Sequence, residues 1–253
     1  MSDELIRSQL TERRGDYGFD APYMPVTLGL LGVGFLSLGI LALRKIRSWI
    51  PGIVLLANGA YFLLSMTGFL YTTRLGKFLV WAEILARLGL RGDEHVLDLG
   101  CGRGAVLLMA AALLPHGRAV GVDLWKTSDQ SGNAADVTRQ NAVLEGVAER
   151  VELQTADMRK LPFANNTYDV VLSSLAIHNI TEESGRMEVL TEAVRVLKPG
   201  GKLIITDFQQ TERYAEHLRA LGMSDVSNRR LDWRFWYGSP WTMVRLVSAR
   251  KPA

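Results

Sequence analysis

The sequence predicts an α/β fold: a mostly parallel sheet ending in an antiparallel hairpin, preceded by two helices of membrane-spanning length. Three observations predict it. From about Leu75 onward strand-like and helix-like segments alternate, the order that gives a parallel sheet with helices on both faces. Two apolar runs without a charge precede them, Val26–Leu43 and Ile50–Tyr71. In the tail, Arg229–Tyr237 and Trp241–Arg250 flank Gly238-Ser239-Pro240, which reads as a hairpin turn between antiparallel strands.

As helices the two apolar runs are about 27 Å and about 33 Å long. Both lengths match the hydrocarbon core of a bilayer. Glycines 29, 32, 34 and 39 of the first run are expected to face Ala57, Gly59 and Ala60 of the second, since small residues let membrane helices pack closely. The link Arg44–Trp49 is short, so the helices are expected to be antiparallel with both chain ends on one side. Arg7, Arg13, Arg14, Arg74, Lys77, Arg87 and Arg91 make that side basic, which favours the cytoplasmic face. Arg44, Lys45 and Arg47 in the link run against this rule, and a hairpin dipping into one leaflet would reconcile them. The chain thus divides into an N-terminal segment (1–25) expected in the cytoplasm, a transmembrane hairpin (26–71) and an α/β domain (75–253).

Within that domain Leu75–Leu88 has helical periodicity and stops at Gly89. Strands are expected at His95–Leu99, Ala119–Asp123, Val151–Ala156, Asp169–Ser174 and Lys202–Asp207. Helices are expected at Gly104–Leu114, Ala134–Gly146, Glu182–Leu197 and Glu212–Leu221.

Composition narrows the function. The net charge of +3 is spread along the chain, without the basic stripe of a nucleic-acid binder. The one cysteine, Cys101, cannot form an internal disulfide. The four histidines are far apart in sequence, so no metal-ligand spacing is present.

The strongest motif is Val96-Leu97-Asp98-Leu99-Gly100-Cys101-Gly102-Arg103-Gly104, placed where a strand turns into a helix. Glycines there permit a tight turn and close approach of a ligand to the backbone. Written as Gly100, Gly102 and Ala105 the motif also fits the dinucleotide fingerprint, so a nicotinamide or flavin enzyme is an alternative. Asp123 ends the second strand and could accept from ribose hydroxyls in either reading. Three further features separate the readings. Asp98 precedes the first glycine, where it could meet a cationic amino group. Asp157, in Ala156-Asp157-Met158, ends the third strand. Leu197-Lys198-Pro199-Gly200-Gly201 precedes the fifth strand.

Together these residues, with Tyr168–Ser174, resemble the class I (Rossmann-like) S-adenosylmethionine-dependent methyltransferases, over about Leu75 to Arg250. The likeness is greatest to the branch acting on quinones, sterols and lipids. The resemblance implies a seven-stranded sheet and a cofactor, S-adenosylmethionine. It implies that Asp98, Gly100, Cys101, Gly102 and Gly104 surround the methionine end. Asp123 and Leu124 would hold the ribose and flank the adenine. Asp157 and Met158 would bind the adenine, and Ser174 and Leu175 would line the site. The Trp125–Asn133 segment is longer than the family's usual turn and is either a cover for the cofactor or a plain polar loop.

Methyl transfer from a sulfonium is an in-line displacement that needs orientation first and a base only when the acceptor must lose a proton. His178, after the fourth strand, is the candidate base. Tyr17 and Asp20, just before the hairpin, are candidates for closing over the acceptor; an interfacial aromatic belt is the alternative. The aromatic cluster Trp233, Phe235, Trp236, Tyr237 and Trp241 reads as packing under the sheet, or as an apolar acceptor wall. The expected acceptor is a hydrophobic or amphiphilic small molecule from the lipid bilayer. The alternatives are a membrane protein as acceptor and a cofactor-binding module without catalysis. The sequence is silent on the acceptor atom and the oligomeric state.

Overall fold

A computed structural model describes residues 3–46, 48–239 and 242–253. Arg47 of the link, and Pro240 and Trp241 of the expected tail hairpin, lie outside the described residues. The elements run α1 (Asp3–Thr11), α2 (Tyr23–Lys45), α3 (Ile50–Tyr71), a π-helical turn (Thr72–Gly76) and α4 (Lys77–Leu88). Then follow β1 (His95–Leu99), α5 (Ala105–Ala112), β2 (Arg118–Asp123), α6 (Ala135–Leu144), β3 (Val151–Thr155), β4 (Tyr168–Ser174), α7 (Glu183–Val196), β5 (Leu197–Asp207), α8 (Thr211–Ala220), β6 (Ser224–Arg230) and β7 (Arg245–Arg250).

The seven strands form one sheet in the order β3-β2-β1-β4-β5-β7-β6. All neighbours from β3 to β5 are parallel; β7 is antiparallel to both β5 and β6. One face of the sheet buries Trp81, Leu85, Leu107 and Met109 from α4 and α5. The other buries Val189, Leu190, Tyr214 and Leu218 from α7 and α8. Strand order reverses between β1 and β4, and open α/β sheets bind ligands at the carboxyl ends of strands flanking such a switch.

The first four strands and their helices fall within a few residues of expectation. β5 starts earlier, at Leu197, because Tyr168 pairs with Leu197 before a shift in register. The tail departs further. β6 begins at Ser224 and ends before the aromatic cluster, which forms a long connection with a 3-10 turn at Trp233–Phe235 and a bridge between Trp236 and Met243. The physical reason is that these aromatics pack against the α3–α4 helix rather than along a strand: the Tyr237 ring lies 5.0 Å from that of Phe69 and Trp233 stacks on Tyr71. α1 lies within the N-terminal segment 1–25, for which no element was expected, and is held by Leu10, wholly buried in the core beside α4.

Helices α2 and α3 are long and apolar enough to cross a membrane, and only 17% of each apolar window is buried. A core helix of a soluble domain would be covered. Here Leu30, Val33, Val54 and Leu64 are exposed on the flanks. The pair is antiparallel but its contact differs from expectation. Gly32 and Gly39 lie against Leu63 and Leu56, and Gly52 and Gly59 against Leu43 and Leu36. Gly34, Ala57 and Ala60 face outward. A four-glycine seam at seven-residue spacing on each helix thus forms the interface.

The second long helix does not stop at Tyr71, where its apolar run ends. It runs from Ile50 to Leu88 through the π turn, so one helix belongs both to the hairpin and to the α/β core. Thr72 Oγ1 donates to the Trp236 carbonyl at 2.7 Å. A Cβ on Gly76 would lie 1.8 Å from the Arg234 carbonyl oxygen, so only glycine permits this approach.

Candidate active site

The glycine turn after β1 is shaped by three left-handed residues, Gly100 (φ 72°), Gly102 (φ 50°) and Gly104 (φ 85°). A side chain at Gly100 would strike the Ala176 methyl at 2.2 Å, which ties the turn to the loop after β4. Gly100 and Cys101 donate to the Val122 carbonyl at the end of β2. The turn is therefore fixed before any ligand binds.

Asp98 sits at the carboxyl end of β1, 1% exposed, and its Oδ1 has no hydrogen-bond partner. Burial, with the Asp123 charge nearby, pushes its carboxyl up to about 7. An uncompensated buried carboxylate is costly. A cation placed against it, such as an amino-acid ammonium group, removes that cost. Asp123 is different: its Oδ2 accepts from Gly102 N at 2.8 Å and its Oδ1 from Trp125 N and Asn133 Nδ2. A carboxylate has about four acceptor positions, so capacity for a hydroxyl remains.

One cavity of about 1070 Å³ collects most of the expected site: Asp98, Gly100, Cys101, Gly102, Asp123, Leu124, Asp157, Met158, Ser174, Leu175 and His178 all line it, and so does Asp20. Gly104 does not; it serves the turn into α5. Tyr17 does not either. Its ring packs edge-on against Phe78 and its hydroxyl donates to Glu145 Oε1 at 2.8 Å, so it anchors the N-terminal segment in the core. Asp157 reaches the cavity but is paired with Arg159 at 2.6 Å, and that guanidinium holds its carboxyl below the usual range. Leu175 is held at φ 53°, a strained conformation for a leucine, by donation of its N–H to Thr206 O. Ser174 Oγ accepts from the buried Trp81 indole at 3.0 Å.

His178 Nδ1 lies 2.9 Å from Oδ1 of the fully buried Asp207, close enough for an ion pair once the ring is protonated, though off the line of a hydrogen bond. Its ring rests on Phe208 at 4.4 Å. Asp207 ends β5 and was missed as a site residue. The Trp125–Asn133 loop lies against the glycine turn: Gln130 pairs with Asp20 as an isolated bridge, and its Oε1 accepts from Arg103 N at 2.8 Å, beside Gly102. Ser131 and Phe19 exchange two further bonds. Lys77 was also missed as a site residue, and Tyr237, expected only as core packing or an apolar wall, contributes its hydroxyl. Lys77 Nζ donates to both oxygens of Asp20, at 3.1 and 2.9 Å, and Tyr237 donates to Oδ2 at 2.8 Å. Among the described residues no cluster has the composition of a metal site.

The same cavity continues past this polar group to Met24 and Leu28 of α2 and Tyr61, Phe62 and Phe69 of α3. Tyr61 and Phe69, eight residues apart on α3, both line it, so the cavity follows about 12 Å of that helix.

Comparison with known proteins agrees with this geometry. Residues 97–205 match the methyltransferase domain family. A demethylmenaquinone methyltransferase of Lactiplantibacillus plantarum is 31% identical over 132 residues, 52% of each chain. A sterol 4-C-methyltransferase of Caenorhabditis elegans is 32% identical over 143 residues, 55% of this chain and 40% of the other. The chain therefore spans about half the length of the curated relatives it matches. Among solved structures, an S-adenosylmethionine-dependent methyltransferase of Aquifex aeolicus superposes with a TM-score of 0.52 at 19% identity, over 67% of this chain and 88% of that one. The matched stretch, residues 97–205, carries the glycine turn and the orphaned Asp98 oxygen, so the part of this chain that is similar to the methyltransferase domain family is the part that builds the polar end of the cavity.

Proposed function

We propose that this chain moves a methyl group from S-adenosylmethionine to a hydrophobic or amphiphilic small molecule drawn from a bilayer, with its α/β domain on the cytoplasmic side. The observation that carries this reading is the single cavity with the glycine turn at one end and apolar side chains of the α2–α3 hairpin at the other. The names of the relatives point the same way: demethylmenaquinone and sterol are both hydrophobic ring compounds.

S-adenosylmethionine supplies an electrophilic methyl group on a sulfonium, a good leaving group. Asp98 would hold the cationic amino group at the methionine end, beside the backbone of Gly100–Gly102. Asp123 would accept from the ribose, Leu124 and Met158 would flank the adenine, and Asp157, now paired with Arg159, would accept from the adenine amino group. The cover formed by Gln130 and residues 18–21 keeps water from the transfer site, and orientation supplies much of the rate. His178 takes the proton when the accepting atom carries one; Asp207 then stabilises the imidazolium.

Incubating the full chain with methyl-labelled S-adenosylmethionine and native membranes tests the reading. Label is expected in the lipid extract and is expected to fall at least about tenfold with His178→Ala if a base is needed. Label confined to protein would replace the small-molecule acceptor with a protein one. No transfer by a folded chain that binds S-adenosylhomocysteine would remove the enzymatic reading.

A further inference from the structure

The cavity has two mouths of opposite character. On one side it is bordered by the exposed polar residues Lys126, Ser128, Asn179 and Glu182, beside the cofactor turn. On the other it is bordered by Tyr23 and Tyr61, 63% and 40% exposed, on the flank of the hairpin. Between the two lies the group Lys77, Asp20, Tyr237 and Gln130. Lys77 and Tyr237 are 5% and 7% exposed, and all four line the cavity. Beyond them toward the hairpin the walls are Met24, Leu28, Phe62 and Phe69.

We infer that this group is a head-group collar: it receives an uncharged oxygen, hydroxyl or carbonyl, of an amphiphile that enters from the flank of the α2–α3 hairpin and leaves its apolar chain along Leu28 and Phe62. The inference rests on the proposed use of a bilayer acceptor and adds its route and head chemistry. The charge arithmetic selects the head. Lys77 and Asp20 already neutralise each other at 2.9 Å, and burial together with the Asp20 carboxylate keeps the Tyr237 phenol protonated. A charged head brought to this depth would be desolvated without a counter-charge. A neutral oxygen can accept from Lys77, whose ammonium carries three donors, or donate to Asp20. The wall selects the tail, because an apolar lining that follows about 12 Å of α3 takes an extended chain rather than a compact group. The route follows from the mouths: a water-soluble cofactor fits the polar one, and the aromatic one opens where α2 and α3 are bare of protein.

Photolabelling tests this in nanodiscs holding the full chain. The probes are a sixteen-carbon alcohol with a mid-chain diazirine and its sulfate and trimethylammonium counterparts. The alcohol is expected to label Leu28 and Phe62 saturably, and unlabelled hexadecanol is expected to compete. The two charged probes are expected to label only outward residues such as Leu30, Val54 and Leu64. Tyr237→Phe, and the charge-neutral pair Lys77→Met with Asp20→Asn, should lower inner labelling about fivefold to tenfold while outer labelling and S-adenosylhomocysteine binding persist. Equal inner labelling by the charged probes, absence of inner labelling by the alcohol, or no effect of either variant overturns the collar. Methyl transfer to lipid is scored separately: its failure with inner labelling intact refutes the enzymatic reading and leaves the collar standing.

Discussion

At the scale of the residue, Asp98 carries the most information. Burial, with the Asp123 charge beside it, pushes its carboxyl up to about 7, well above the ordinary carboxylate range, and its Oδ1 has no hydrogen-bond partner. The folded-state value is raised, so the folded chain binds more protons than the unfolded one between about pH 4 and pH 7. Its contribution to stability is therefore greatest below pH 4 and is lost as pH rises through 7. The ligand-free protein should melt at a lower temperature at pH 8 than at pH 6, and Asp98→Asn should flatten that fall. The same variant should weaken S-adenosylhomocysteine binding at least about tenfold and abolish the tightening expected between pH 6 and pH 8. Calorimetry and thermal melts at the two pH values check both; unchanged affinity would remove Asp98 from the cofactor site. This residue was legible in the sequence because its role depends on local order, a carboxylate two positions before a glycine at a strand end. Asp207, Lys77 and Tyr237 were not legible, because their roles exist only where β5, α4 and the tail meet other elements. Nothing local in a lysine inside an apolar helix announces that Asp20 will face it.

At the scale of the element, the α3–α4 helix is the organising piece. The sequence reading found both of its halves but separated them at Tyr71, because hydropathy changes there and helical periodicity does not report continuity. The π turn at Thr72–Gly76 keeps the helix unbroken and brings Thr72 and Gly76 against the carbonyls of Trp236 and Arg234. Arg234 adds an ion pair at 2.7 Å to Glu83, whose carboxyl that guanidinium holds below its usual range. The tail aromatics therefore left the expected hairpin for this helix. Gly76→Ala should be costly out of proportion to one methyl, since its Cβ has no room beside backbone. Overpacking of this kind destabilises by about 1–3 kcal/mol, or a fall of about 3–10 °C in the melting temperature of a chain this size. Gly34→Ala, where a Cβ meets nothing within 4 Å, is the control and should change little. Equal melts for the two variants would mean that the helix and the tail are not locked together as described.

At the scale of the whole molecule, one cavity joins the polar glycine turn to the apolar side chains of the α2–α3 hairpin. The sequence announced each end, a glycine turn for the cofactor and apolar runs for the bilayer, but not that Leu28 and Phe62 would share a wall with Asp98. That follows from α4 being both the end of the hairpin helix and a core helix under the sheet. If the hairpin were only an anchor, bulk added anywhere on it would leave transfer unchanged once the chain is inserted. If its inner face is the acceptor's wall, position decides. Leu28→Trp with Phe62→Trp adds bulk inside the cavity, whereas Leu30→Trp with Leu64→Trp adds it to flanks that are 71% and 61% exposed. The inner pair should lower lipid methylation at least about tenfold by raising the acceptor's KM, since a filled site loses uniform binding first. Affinity for S-adenosylhomocysteine should stay within about twofold in both pairs, because the cofactor enters by the other mouth, and separated sites are additive. The outer pair should transfer at the parent rate. Loss of activity in both pairs alike would assign the hairpin to anchoring and separate it from the acceptor's path.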